Sequence, residues 1–355
     1  MASGPERRLQ RVGNQLRAGC GRAAALAAAP SPATSTTTTT TTRDWCTPVR
    51  DSKGRASTAS EDAAWFLGNF TKHEEMVPMR DGVELLTQFF VPKPGAESWT
   101  HDSGFPMLLQ RTTYSCAPYG LDSYPDPRGP MKSYAREGFI FVMQDVRGRN
   151  GSGGAFRHMR PHVSTRATLS DIDESSDTCD TVEWLINHVP HSNGRVGILG
   201  ISYPGFFSAA AMVDSHPALV CASPQAPITD MWIGDDFHHN GALYLTHAFH
   251  FIVNHGKEVN QADHREALLR RTSPRADVGY PGAPPGPYGV YDYRTSDDYE
   301  FFMRMGPLKN MAGLLTSNGP MIEHGGGSNL WPDIVAHPNY DGVYTYVDTP
   351  AGPCL

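Results

Sequence analysis

No two of the six cysteines (Cys20, Cys46, Cys116, Cys179, Cys221, Cys354) stand in a CxxC pair, so neither a zinc ribbon nor a dithiol redox motif is indicated. For Cys179 and Cys221 the plain expectation is a buried free thiol. No apolar run approaches the ~20 residues that a membrane-spanning helix needs, so no membrane segment is expected. Basic stripes are also missing, and the net charge of −7 disfavours nucleic acid as a partner. No internal repeat stands out. No metal site or cofactor is called for, and His238 and His239 do not suggest one. Adjacent histidines on a helix point about 100° apart, so they read as packing or surface residues.

What is present is ordinary globular material, 39% hydrophobic and 19% charged over 355 residues. Residues 1–60 differ in kind. They are rich in Arg, Ala, Ser and Thr, include the run Thr36 to Thr42, and read as a disordered or targeting leader. The compartment is left open by the sequence. The sequon Asn69-Phe70-Thr71 matters only on a secretory route.

Order is expected from near Trp65. Two β-rich runs flank Arg80-Asp81-Gly82, a hairpin signal. Phe105–Gln110 and Gly138–Met143 are short apolar runs with the character of buried strands. Val182, Leu185, Ile186 and Val189 recur at helical spacing over 177–189. Gly194–Gly200 reads as a strand, Phe206–Val213 as a helix and Leu219–Ser223 as a strand. Alternation of strands and helices implies a parallel sheet covered on both faces. After Pro227 the alternation stops. Residues 228–341 read as an inserted, mostly helical cap, with a helix from about His238 to Val253. The expected organisation is a leader (1–60), an α/β core (61–227), the cap (228–341) and a tail (342–355).

The strongest chemical signal is Gly200-Ile201-Ser202-Tyr203-Pro204-Gly205, between a predicted strand and a predicted helix. A serine on such a turn projects its hydroxyl above the sheet, and small neighbours let strand and helix close on it. Position 204 breaks the G-x-S-x-G pattern, but proline is favoured in a helix's first turn. A strand, a turn and a helix with an incidental serine is the competing reading of this segment.

This elbow resembles that of the X-Pro dipeptidyl-peptidase-like α/β-hydrolases, which include cocaine esterases, glutaryl acylases and α-amino acid ester hydrolases. Further segments agree in order: Met79–Gly82, Arg111–Tyr114, Gln144–Arg149 with Gly151–Gly154, Asp180–Trp184 through Arg195, Met231–His238 and Phe301–Pro307. The last two look closest to the α-amino acid ester hydrolases. The resemblance implies an α/β-hydrolase fold with a mostly parallel sheet and an inserted helical cap. It implies hydrolysis of a small-molecule ester, amide or short peptide through an acyl-serine. Ser202 would be the nucleophile, while the Tyr203 amide and the Tyr114 hydroxyl would bind the oxyanion. It also implies that Asp236, or alternatively Asp235, holds a substrate α-ammonium, against a plain reading of both as a solvated acidic turn. Asp145 and Arg147 end a strand and invite a catalytic reading, but bracing of a loop suits them better.

The family pattern then fails. A triad's acid and histidine follow the serine in chain order. Trp331–Asp341 resembles the end of the family's cap, and Gly342–Leu355 neither contains a histidine nor resembles the family. His337 matches a cap position and receives no catalytic role. The expectation is therefore a chain lacking the later strands of the sheet and the family's β-sandwich domain. That makes a catalytically incompetent chain, or a binding module, the competing function. An open sheet edge would favour self-association into a homo-oligomer.

Overall fold

The computed structural model describes residues 59–125, 130–228, 230–234, 237–255, 295, 297–314 and 330–339. A six-stranded sheet runs in the order β1-β2-β4-β3-β5-β6. Its strands are β1 Phe70–Pro78, β2 Glu84–Pro92, β3 Phe105–Thr112, β4 Ile140–Asp145, β5 Ser192–Ile201 and β6 Leu219–Gln225. The first two form the expected hairpin, closed by bonds from the Gly82 amide to the Met79 carbonyl and from the Met79 amide to the Val83 carbonyl. β1 to β2 and β2 to β4 are antiparallel; β4 to β3, β3 to β5 and β5 to β6 are parallel. The fold is therefore an α/β-hydrolase sheet, mostly parallel, with antiparallel strands at its start.

Helices α1 Ala59–Asn69, α2 Pro130–Arg136, α3 Glu174–His188 and α4 Tyr203–Ala210 accompany the sheet. Successive strand residues face opposite sides, and the packing follows. Phe90 and Phe141 join Phe66, Phe70 and Ala135 on one side. Phe89, Leu109 and Val142 join Val182 and Leu185 of α3 on the other. Both faces are covered, which is why these strands read as unbroken apolar runs.

α3 begins three residues before the predicted start because polar residues form its first turns. Asp173 caps it by accepting from the Ser176 amide at 2.7 Å, and the Ser176 hydroxyl answers the Asp173 amide. Three arginines then tie α3 to the sheet. Arg80 pairs with Asp180, Arg147 with both Asp177 and Asp81, and Arg111 with Glu174. Desolvation raises the carboxyl pKa of Asp180 and Glu174, the cost of burying them. The forks of the arginines offset that cost.

Several expectations are corrected. The helix proposed from His238 begins only at Leu245 (α5, Leu245–His255). Before it lies a hairpin, β7 His238–His239 with β8 Ala242–Leu243, turned by Asn240-Gly241 at φ 49° and 83°. Asn-Gly is the residue pair that such a turn favours, and an apolar-rich flank masked it. His238 is consequently buried and His239 exposed, on opposite faces of a strand. Cys221 is exposed on β6, and Cys179, though buried, is held in a disulfide. The Asn69 side chain is engaged with the Trp65 carbonyl and the Ser98 amide, so the sequon side chain serves as a brace. Helix α1 already includes Ala59, ahead of the order expected from near Trp65.

Beyond the sheet lie α6 Asp298–Met305, a 3-10 turn over Leu308–Met311 and α7 Leu330–Ala336. One apolar cluster joins Tyr203, Phe206 and Phe207 of α4 to Phe237, Phe249, Phe301 and Trp331. The elbow helix and these later segments therefore share a core.

Candidate active site

Ser202 stands where β5 ends and α4 begins, as the sequence predicts. Its backbone lies at φ 64°, ψ −122°, a conformation that non-glycine residues adopt only under constraint. Two bonds supply that constraint. Its amide donates to the Gln225 carbonyl of β6, and its carbonyl accepts from the Phe206 amide. The turn closes because its flanks lack side chains. A Cβ on Gly200 would lie 2.2 Å from the Pro204 carbonyl, and one on Gly205 would lie 2.3 Å from the Gln225 oxygen.

Pro204 occupies the first turn of α4, where its missing N–H costs nothing. The Ser202 side chain is exposed. As the first residue of α4, Tyr203 presents an N–H without an acceptor inside the helix. The helix's positive end thus faces the space beside the serine. Among the described residues no side chain hydrogen-bonds the Ser202 hydroxyl.

Tyr114 follows β3 and is brought beside the elbow. Its ring meets that of Tyr203 edge to face, with centroids 6.3 Å apart and planes at 88°. The loop that carries it is held by Asp145. One oxygen of that carboxylate accepts from the Cys116 amide at 2.9 Å; the other accepts from the Tyr119 hydroxyl at 2.7 Å and the Gly151 amide at 3.1 Å. Burial raises the Asp145 pKa, although these donors favour the charged form. Lys72 clamps the same loop from β1 through the carbonyls of Pro118, Gly120 and Ser123.

The bracing role expected of Asp145 and Arg147 is what the geometry provides, though the two do not pair with one another. Arg147 instead bridges Asp81 and Asp177. Asp235 and Asp236 lie outside the described residues. His337 follows α7, its amide bonded to the Asp333 carbonyl.

Sequence reasoning missed the loop 156–159 as part of the site. Gly148, at φ 69°, lets it approach, since a Cβ there would meet the Phe156 nitrogen at 2.1 Å. The loop delivers His158 and Met159 to the Tyr203 hydroxyl. The available signal was the glycine cluster 148–154, which marks close backbone approach.

No helix among the described residues is long and apolar enough to cross a membrane. Among those residues no group of three or more His, Cys, Asp or Glu side chains is placed to hold a metal ion.

Comparison with known proteins agrees with this geometry. A model of the X-Pro dipeptidyl-peptidase (S15 family) matches residues 81–288, more than half of the chain. The chain is similar to cocaine esterase of Rhodococcus sp. (strain MB1 Bresler), 29% identical over 168 residues, covering 47% of this chain and 25% of that one. Among solved structures it is similar to an aminopeptidase from a marine sediment Thaumarchaeota archaeon, at TM-score 0.57 and 28% identity. That likeness covers 79% of this chain and 40% of the other. It is similar also to an α-amino acid ester hydrolase, at TM-score 0.55 and 29% identity, covering 83% of this chain and 41% of that one. The chain thus spans between a quarter and about two fifths of the length of these relatives.

Proposed function

The chain belongs to the X-Pro dipeptidyl-peptidase (S15) family, and from that premise we propose that it carries the nucleophile and oxyanion half of a serine hydrolase acting on esters or amides. The observation that carries this is the exposed Ser202, held at positive φ between a parallel strand and a helix N-terminus. In the proposed reaction the Ser202 hydroxyl attacks the scissile carbonyl and forms an acyl-serine. The Tyr203 amide and the Tyr114 hydroxyl donate to the oxyanion that develops. A neutral phenol suits that role, because it stabilises negative charge without an ion pair that would hold the ground state equally well.

The substrate is proposed to be a small ester, amide or short peptide. The α-amino acid ester hydrolase among the structural relatives favours substrates with an α-ammonium, for which Asp236, or else Asp235, is the proposed counter-ion.

A serine of ordinary pKa is a weak nucleophile until a base takes its proton. The competing reading is a chain that turns over slowly by itself. The two readings share a test. A fluorophosphonate probe should label the purified chain at Ser202, and Ser202→Ala should abolish the label. Labelling that persists in Ser202→Ala would place the nucleophile elsewhere. Turnover of p-nitrophenyl acetate should stay at trace level; rapid turnover lost in Ser202→Ala would mean that a base is recruited from outside the described residues or from a second subunit.

A further inference from the structure

Tyr203 does more in this fold than lend an amide. Its ring is buried at the centre of an aromatic group. Tyr114 meets it edge-on, Phe207 lies at 5.2 Å and Phe251 of α5 stacks at 6.3 Å with planes 18° apart. Its hydroxyl lies 3.0 Å from the Met159 amide nitrogen and 3.0 Å from His158 Nδ1.

The Met159 N–H can only donate, so it donates to the phenol oxygen. The phenol hydroxyl and His158 Nδ1 share the second bond, the direction of which follows the tautomer of the ring. Met159 is held at φ 40°, a region that a long side chain rarely adopts, and its side chain is buried. Two strained residues, Ser202 and Met159, are thus joined through one side chain.

We propose that the Tyr203 side chain, locked by His158 and Met159, is a positioning residue that sets the angle of the elbow and the placement of Tyr114. This rests on the reading of Ser202 and its oxyanion donors given above. The Tyr203 backbone leads straight into the Ser202 turn, so a displacement of its anchored side chain is passed to the amide aimed at the oxyanion. The same ring is the surface against which Tyr114 rests, so one displacement disturbs both donors. An unlocked phenol would still be buried and still packed. What it would lose is orientation.

The test is fluorophosphonate labelling followed in time, because the labelled fraction reports folded protein while the rate constant reports geometry. Tyr203→Phe keeps the ring and removes the hydroxyl. His158→Leu removes the hydrogen-bond partner, and His158→Asn restores one near the Nδ1 position. A misplacement of catalytic donors well under 1 Å is expected to slow the rate about tenfold. The expected result is that slowing in Tyr203→Phe and His158→Leu, substantial recovery in His158→Asn, and an unchanged labelled fraction in all three. A wild-type rate constant in Tyr203→Phe, with only the labelled fraction or the melting temperature reduced, overturns the proposal.

If the wild type does not label at all, the reading of Ser202 fails by itself, and amide hydrogen exchange at Ser202 and Tyr203 decides the positioning role. Faster exchange there in Tyr203→Phe, at an unchanged melting temperature, supports it; unchanged exchange overturns it.

Discussion

Gly200→Ala tests whether the elbow's geometry, and not merely its sequence, makes Ser202 reactive. The added Cβ would lie 2.2 Å from the Pro204 carbonyl carbon and oxygen and 2.5 Å from the Pro204 Cβ. Ordinary contact begins near 3.4 Å, so the first turn of α4 must retreat by about 1 Å. It has little freedom to do so. Phe206 and Phe207 are buried in the shared core, and the Ser202 amide is pinned to the Gln225 carbonyl.

Overpacking of this kind costs about 1–3 kcal/mol. For a domain of this size that is a fall in melting temperature of roughly 2–4 °C per kcal/mol. The labelling rate at Ser202 should fall about 100-fold, as expected for a displacement near 1 Å of donors from their target. Gly68→Ala is the control. Its Cβ meets nothing within 4 Å, and in helix α1 alanine is favoured over glycine by up to about 1 kcal/mol. It should leave labelling unchanged and stability equal or slightly higher. Thermal melts and labelling kinetics of the three proteins decide the matter. Wild-type stability together with a wild-type rate in Gly200→Ala would refute the claim that close approach of strand and helix shapes the elbow.

Removing the Arg147 fork by Arg147→Met leaves Asp81 and the buried Asp177 without their shared cation; a loss of about 3–5 kcal/mol is expected in urea denaturation, and a loss below 1 would show the pair to be dispensable. Burial pushes the Asp173 carboxyl up, but the Val163 and Ser176 amides, with Arg166 and His162, outweigh it and hold the pKa below the usual value of 3.8. A carboxyl lowered on folding contributes stability that is complete above its unfolded pKa and disappears as pH falls through the folded one. The stability gap between wild type and Asp173→Asn should therefore be widest near neutrality and should narrow below about pH 4; a gap independent of pH would refute the charge's role. Peptide mapping after brief treatment with a thiol reagent should find Cys221 modified and Cys116 intact, since Cys116 is buried and its thiol pKa is pushed well up by burial. Modification of Cys116 at an equal rate would contradict the packing around Asp145.

Legibility in the sequence tracked the range of the interaction. The strands were readable because each apolar run is buried on both faces, and the elbow because its glycines, serine and first-turn proline are neighbours in the chain. The Asp173 cap was missed because its helix opens with Glu174, Ser175 and Ser176, residues without an apolar period, although all three are buried. The hairpin at 238–243 was missed although its Asn-Gly turn was in plain view. The apolar residues of 242–253 read instead as a single helix reaching back to His238.

What could not be read is the set of contacts that join distant segments at one point. Arg111 stands near the end of β3, and Asp145 and Arg147 stand at the end of β4, as if each served its own strand end. Their partners at positions 81, 116, 174 and 177 come from three different segments, and no local pattern encodes such a meeting. The same holds for Tyr203. As a sequence feature it is the residue after the serine, and the family resemblance gives a role only to its amide. In the fold its ring lies between Tyr114, 89 positions upstream, and Phe251 of α5. Its hydroxyl is held by a loop that reaches it only because Gly148 has no side chain. Strain is tolerated at Ser202 because Gln225 and Phe206 hold its amide and carbonyl, and at Met159 because the Tyr203 hydroxyl holds its amide. Reactivity in such an elbow therefore depends on residues that touch neither substrate nor serine, and the variants at Gly200 and Tyr203 probe that dependence from the backbone and from the side chain.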